Sequence, residues 1–461
     1  MKKNLLFILL LILCFGLFAC AKNDKSSDAI GDKGYSSSSR ESYEGEKAID
    51  PSISGVVPPK GDGKVSYDDG EATGYSSVDP MAGAVAIPGE SEFFEPSDLV
   101  EPVEPVDPDE PVTGEPVITP GQLTASAYFD NDHYEFWKGL LTTNQSGDGT
   151  FKVYNDYKKF FALNRVKVVI EGVPYAKVTI DDFTGVTDSN GVVYLFPKEG
   201  KETYTANIEI VTDNGVVSLN KEVTDNELTI TAEEFNVSVE KAKLIQLMFI
   251  VDTTGSMGDE IGYLKAEIVD VINKVKEYNE DVVIYLGLVF YRDLGDDYVT
   301  RMYDFTTDIT LQQSRLQEEY AYGGGDFPEA VTKAFEKALE AQWVTFGTKI
   351  IVHVADAPDH SSNYEKWYDA TLKCAAMGIR VITIASSGID TETEYFFRCE
   401  ALLTNGCYGY LTDDSGIGYS HHVPTTEETM PVEYLNAMLV RLIDGFYTGE
   451  FKEAVSWRGQ E

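Results

Sequence analysis

The chain has 461 residues and a formal net charge of −40, from 37 basic and 77 acidic side chains. With 43 % hydrophobic and 12 % aromatic residues it has material for at least one large core, which excludes wholesale disorder. A surface this acidic repels a polyanion, so nucleic acid is excluded as a partner, and five cysteines, two of them in the first 20 residues, do not make a disulfide scaffold.

Lys2 and Lys3 precede an apolar run from Leu5 to Ala19 that ends at Cys20. The run is short for a membrane span and has the charged-then-apolar form of an export signal. Leu17-Phe18-Ala19-Cys20 resembles the bacterial lipobox. That resemblance implies a signal peptide over residues 1–19, lipid on Cys20, and an exported lipoprotein anchored to the cell envelope. An uncleaved N-terminal membrane helix is the alternative. Residues 20–120 are rich in Ser, Gly, Pro and acid without a sustained hydrophobic period, and are expected to form a disordered stalk. Its segment Glu101 to Pro111 alternates Pro with acid, which favours an extended polyproline II spacer.

Residues 121–243 are expected to hold a lead-in and a small all-β unit. Leu123 to Leu141 reads as a helical or irregular lead-in, with Asp130-Asn131-Asp132 as a turn or cap rather than a calcium loop. Strands are predicted at Val166–Ile170, Ala176–Ile180, Val192–Phe196, Tyr204–Val211, Val216–Val223 and Leu228–Ile230. Asn190-Gly191 before an apolar alternation predicts a hairpin, because both residues tolerate positive φ. Short strands with frequent turns make a sandwich. Val178 to Pro197 resembles the Ig-like and transthyretin-like modules of secreted bacterial proteins.

From Leu244 the pattern alternates buried strands with amphipathic helices, up to about Gly449, with residues 450–461 as a tail. Leu244–Val251, Val282–Tyr291, Lys349–Ala355 and Ile379–Ala385 are nearly continuous apolar runs, as parallel strands covered on both faces should be. Ile261, Leu264, Ile268, Val271, Ile272 and Val275 recur at helical spacing. The fold class is therefore α/β, a doubly wound, mostly parallel sheet that binds ligands beyond the carboxyl ends of its strands.

Asp252-Thr253-Thr254-Gly255-Ser256 follows the first of these strands and matches D-x-T/S-x-S. Alternate residues of a tight turn point the same way, so the Thr254 and Ser256 hydroxyls can meet one hard cation with Asp252 behind them. Ser256 as a helix N-cap, with Asp259 three residues on, is the structural alternative. The segment resembles the metal-ion-dependent adhesion site of von Willebrand factor A domains, a likeness that covers Leu244 to Gly449. Gly323-Gly324-Gly325-Asp326-Phe327-Pro328-Glu329 resembles a form of the family's second loop in which Asp326 replaces a threonine. Asp326 is then a ligand, a water-mediated contact, or an N-cap before Pro328. Asp356, after the strand Lys349–Ala355, matches the family's third aspartate.

The resemblance implies a metal set of Asp252, Thr254, Ser256, Asp326 and Asp356. It implies a divalent cation, Mg²⁺ first with Mn²⁺ or Ca²⁺ as substitutes, and a protein partner that offers an acidic side chain to it. Arg292, Asp293 and His360 are candidates for the ligand rim, with an internal Arg–Asp pair as the default. His353 inside an apolar strand reads as a core histidine, and His421-His422 lack a second zinc motif. A Cys399–Cys407 disulfide is conceivable in an exported protein. The expected function is non-enzymatic: cation-dependent protein binding by a surface lipoprotein. A metal-dependent hydrolase and a scaffold with a vestigial site are the alternatives.

Overall fold

A computed structural model describes residues 118–142, 162–212, 215–235, 237, 239–278 and 281–459. The expected signal segment, Cys20 and the stalk up to residue 117 lie outside the described residues. In chain order the elements are β1 (Thr124–Tyr128), α1 (Tyr134–Thr142), β2 (Val166–Ile170), β3 (Lys177–Ile180), β4 (Phe183–Val186), β5 (Val192–Leu195), β6 (Thr203–Thr212), β7 (Gly215–Thr224), β8 (Glu227–Ile230) and the single turn α2 (Ala232–Phe235). They continue with β9 (Leu244–Asp252), α3 (Ile261–Tyr278), β10 (Val283–Tyr291), β11 (Thr300–Thr306), α4 (Ile309–Glu318), α5 (Val331–Leu339) and β12 (Thr348–Ala355). The last are α6 (Tyr364–Met377), β13 (Ile379–Ala385), α7 (Thr391–Leu403), β14 (Cys407–Leu411), β15 (Glu433–Tyr434) and α8 (Leu435–Thr448).

The larger sheet has the order β11-β10-β9-β12-β13-β14-β1-β15. Its centre, β10 to β14, is parallel, and the outer strands β11, β1 and β15 are antiparallel to their neighbours. Every residue of β12 and β13 is buried, as helices on both faces require. Alternate β9 residues face two cores. Leu247, Phe249 and Val251 pack with Leu264, Ile268 and Val271 of α3 and Leu439 and Ile443 of α8. Met248 and Ile250 pack with Val331 and Phe335 of α5 and Trp367 of α6. The six apolar side chains predicted for the α3 face are all buried, each worth about 1.5–3 kcal/mol relative to exposure. An acid at Ile268 would break that face.

β1 departs from the expected lead-in. It lies in the larger sheet, with Ala125 opposite Leu411 and Tyr128 opposite Tyr408, so the β unit is inserted between two strands of one sheet. Just before β1, Gly121, Gln122 and Leu123 donate their N–H groups to the buried Glu267 carboxylate of α3. Asp130, read as a turn or cap, is instead buried against Arg398, which also donates to Glu394.

The inserted unit is a seven-stranded sheet in the order β4-β3-β6-β7-β8-β2-β5. The Asn190-Gly191 turn forms, with Asp188 Oδ1 accepting from the N–H groups of Asn190 and Val192. It does not close the predicted hairpin: β4 pairs with β3, and β5 pairs with β2. The turn docks on α8 instead, through Ser189 to the Phe446 carbonyl and Asn190 to the Gly449 carbonyl. Asn405 adds a two-way bond to the backbone of Tyr194, and Arg380 donates to the Val186 carbonyl. Arg380 stands at the amino end of β13, so the β unit packs against the end of the sheet opposite the candidate site. Cys374, Cys399 and Cys407 are all buried free thiols, and the Cys399–Cys407 bridge is absent.

Candidate cation site at the carboxyl edge of the sheet

Three strand ends build the site. β9 delivers Asp252, β10 delivers Tyr291 and Arg292, and β12 delivers Asp356. After β9 the chain turns tightly, and Asp252 Oδ1 accepts both the N–H and the hydroxyl of Thr254, at 2.8 and 2.7 Å. The Thr254 and Ser256 hydroxyl oxygens stand 3.2 Å apart. Thr254 is buried and Ser256 is exposed, so the pair opens outward. The capping alternative for Ser256 fails. Its hydroxyl meets Thr254 rather than a backbone N–H, and Asp259 accepts from Ser387 and Tyr419.

The glycine loop is laced to this turn by two backbone bonds, Gly255 N–H to the Gly323 carbonyl and Tyr322 N–H to the Thr253 carbonyl. Gly323 and Gly324 have φ of 84° and 79°, which a residue with a Cβ adopts only under strain. Asp296 holds the loop by accepting the Gly324 N–H.

The capping alternative for Asp326 fails. The residue is exposed, and α5 starts at Val331 with Asp359, not Asp326, accepting the Thr332 N–H. Three residues on, Glu329 is only 3 % exposed. A Cβ on Gly324 would stand 2.9 Å from Glu329 Oε1 and 3.4 Å from Thr254 Cβ. Glu329 therefore belongs to this site, although the sequence reading gave it no role. Its signal was an acid directly before an apolar helix that another residue caps.

Asp252 Oδ2, Asp356 Oδ1 and Glu329 Oε2 are buried without a hydrogen-bond partner. Burial, then the nearby Asp356, pushes the Asp252 carboxyl up to about 7, although Thr254 and Tyr291 oppose this. Burial pushes Asp356 up to about 6, against the Ser256 hydroxyl and with Glu260 adding repulsion. Glu329 rises to about 9, through burial and then the charge of Asp252. Among the described residues no three His, Cys, Asp or Glu side chains are gathered as a metal-holding group. The donor set is instead two hydroxyls backed by buried, unpartnered carboxylate oxygens, and this fits a hard divalent cation.

The rim residues divide. Arg292 is buried, donates to the Thr253 and Tyr320 carbonyls, and lies against the rings of Tyr298, Tyr320 and Tyr322. The expected Arg292–Asp293 pair is replaced by Asp293 with His360 Nε2, at 2.7 Å. Burial opposes the charged imidazole there, but Asp293 outweighs it and holds the His360 pKa above its usual value. His353 is a core histidine, buried between Glu400 and the Tyr291 hydroxyl. His421 and His422 are tethers of the loop after β14, on Glu260 with Asp413 and on Glu394 respectively.

Residues 246–389 match the von Willebrand factor A domain family. The alpha-protein kinase vwkA of Dictyostelium discoideum is 26 % identical over 219 residues, 46 % of this chain and 34 % of that protein. The von Willebrand factor A domain-containing protein 7 of Mus musculus is 38 % identical over 94 residues, 20 % of this chain and 10 % of that protein. The chain thus spans about a third of the length of the first of these relatives and a tenth of the second. Among solved structures, BatB from Bacteroides thetaiotaomicron aligns with a TM-score of 0.31 and 13 % identity, covering 44 % of this chain and 99 % of that one. With the strand-end aspartates, the paired hydroxyls and the glycine loop all falling inside the matched stretch, residues 246–389 are a von Willebrand factor A domain.

Proposed function

We propose that this chain is a non-enzymatic, exported lipoprotein, anchored through Cys20, whose A domain binds a protein partner through a divalent cation. Protein–protein interaction is the general role of such domains. The finer reading rests on one observation: the Thr254 and Ser256 hydroxyls, 3.2 Å apart with Ser256 exposed, stand over buried carboxylates with unpartnered oxygens. Thr254 and Ser256 would hold the cation, with Asp252 and Asp356 in support, and Mg²⁺ suits such an oxygen-only set. When bound, the cation supplies a Lewis-acidic position that a partner's Asp or Glu would fill. In the same reading the seven-stranded unit is an Ig-like or transthyretin-like module and residues 20–120 are a disordered spacer.

The test is calorimetric titration of the full chain with Mg²⁺, followed by a panel of Asp-containing peptides and their Asn counterparts with Mg²⁺ or a chelator. One-site cation binding lost in Asp252→Ala, with Mg²⁺-dependent capture of Asp peptides lost in Ser256→Ala, supports the reading. Peptide binding that survives chelator or a folded Ser256→Ala protein defeats it. Absence of any cation binding leaves the scaffold reading. The hydrolase alternative has one observation in its favour, the half-buried His360–Asp293 pair, an arrangement that orients a general base. Cation-dependent turnover of model esters, lost in His360→Ala, would establish it over simple binding.

A further inference from the structure

We infer that the cleft between the β unit and the amino end of the larger sheet binds a small zwitterion, a free α-amino acid with an apolar side chain. The cleft lies at the end of the sheet opposite the Thr254 and Ser256 hydroxyls, so this site does not depend on the cation reading. It encloses about 250 Å³, which suits a small metabolite. One wall is apolar: Phe129, Phe446 and Phe451 meet there with ring centroids 6.4, 5.2 and 5.0 Å apart, and Val192 lines the same space. Arg380 also lines the cleft and is only 6 % exposed. Of the five N–H donors of a guanidinium, two are used, on the Thr404 carbonyl after α7 and the Val186 carbonyl at the end of β4. Such carbonyls offset only part of a buried positive charge, and among the described residues Arg380 forms no ion pair. Lys349 on the neighbouring strand is buried as well and donates to the Val344 and Thr345 carbonyls; burial, then the charge of Arg380, lowers its pKa to about 8.

Asp188 lines the same cleft, and its charge acts on Arg380 without the two forming an ion pair. Its Oδ1 is taken by the Asn190 and Val192 N–H groups, and its Oδ2 has no hydrogen bond among the described residues. Asn131 adds an acceptor: its Nδ2 donates to the Leu402 carbonyl, and its Oδ1 is buried without a partner. Asn131 and Arg380 both hang on residues 402–404 at the end of α7, which brings the free acceptor and the guanidinium close together. A buried cation and a carboxylate held apart around one apolar cleft are the complement of a zwitterion with an apolar side chain. The ligand carboxylate would take the spare Arg380 donors in charge-assisted bonds. Its ammonium would donate to Asp188 and to Asn131 Oδ1, and its side chain would lie on the three phenylalanine rings. A bare acid leaves the acceptors unpaired and a bare amine leaves the guanidinium unpaired, which is how a polar pocket rejects an analogue lacking one group.

The full chain is titrated by calorimetry with L-phenylalanine, with phenylacetate, which lacks the ammonium, and with phenethylamine, which lacks the carboxylate. Phenylalanine should bind at one site with a Kd of about 1 mM or tighter, and each analogue at least about tenfold more weakly. Arg380→Met should weaken phenylalanine binding at least about tenfold. Asp188→Asn keeps the acceptor that the turn uses, and should cut the preference for phenylalanine over phenylacetate at least about fivefold. Ser256→Ala should leave phenylalanine binding at the parent value. Should Arg380→Met fail to fold, Phe451→Ala, which removes a 45 % exposed ring from the apolar wall, must still weaken it. Phenylacetate binding as tightly as phenylalanine overturns the amino-acid assignment. No phenylalanine binding by the parent, or parent-like binding by a folded Arg380→Met or Phe451→Ala protein, overturns the site.

Discussion

Arg398 ties two distant parts of the chain together, and its loss should be costly in a way that depends on pH. Its guanidinium is fully buried and donates to Asp130, to Glu394 and to the Thr425 carbonyl. In Arg398→Met, Glu394 keeps His422 and the Thr425 N–H, but Asp130 loses the guanidinium that offsets its burial. Removing one partner of a buried ion pair costs roughly 3–5 kcal/mol. Burial already holds the Asp130 pKa above its usual value, and without Arg398 it rises further. A carboxyl with a raised folded-state pKa takes up a proton on folding at low pH, so its penalty is small there and grows as pH rises. Chemical denaturation should therefore show a larger loss for Arg398→Met at pH 8 than at pH 5. Asp130→Asn in the same background should recover part of it. A loss below about 1 kcal/mol at pH 8, or equal losses at both pH values, would refute the reasoning.

The His421 imidazole bridges Glu260 and Asp413, and these outweigh burial to raise its pKa. Its contribution should be fully present below the unfolded value of about 6.5 and lost as pH rises through the folded one, so amide exchange at 413–421 should speed up with pH in the parent and far less in His421→Gln. Gly324→Ala places a Cβ at positive φ and 2.9 Å from Glu329 Oε1, and should cost about 1–3 kcal/mol in thermal denaturation and weaken Mn²⁺ binding. Asn405→Ala removes both bonds to Tyr194, so exchange of the β5 amides should rise while Mn²⁺ binding stays unchanged. The three buried thiols of Cys374, Cys399 and Cys407, whose pKa values burial raises, should react with a thiol reagent only after unfolding.

The parts of the fold legible in the sequence are those whose cause is local. β9, β12 and β13 are unbroken apolar runs, and a polar residue directly after such a run must emerge at the sheet edge; this located Asp252 and Asp356. β1 was not legible, because Thr124–Tyr128 is short and its partner β14 lies almost 300 residues away. The Asn190-Gly191 turn shows the same limit: turn chemistry sets a bend, but which strands pair across it depends on the β2 and β3 edges elsewhere. Arg292 reads as a rim cation until Tyr298, Tyr320 and Tyr322 close over it. Glu329 was hidden by proximity to Asp326, whose alignment with the resembled site is a matter of position in the string. Which of the two acids turns inward is decided by the Pro358 backbone and by Asp359 taking the cap of α5.

The two ends of the sheet have unequal surroundings, and this bears on what can reach the site. The amino ends are covered by the β unit, through Arg380 at β13 and the Asn190 turn at the end of α8. At the carboxyl ends, the described chain begins with Ile118, whose side chain would touch a Cβ placed on Gly262 in the first turn of α3. Gly121 to Leu123 are pinned there by Glu267, and β1 then runs away from this end, antiparallel to β14. The contacts of the β unit thus lie at the end of the sheet opposite the Thr254 and Ser256 hydroxyls.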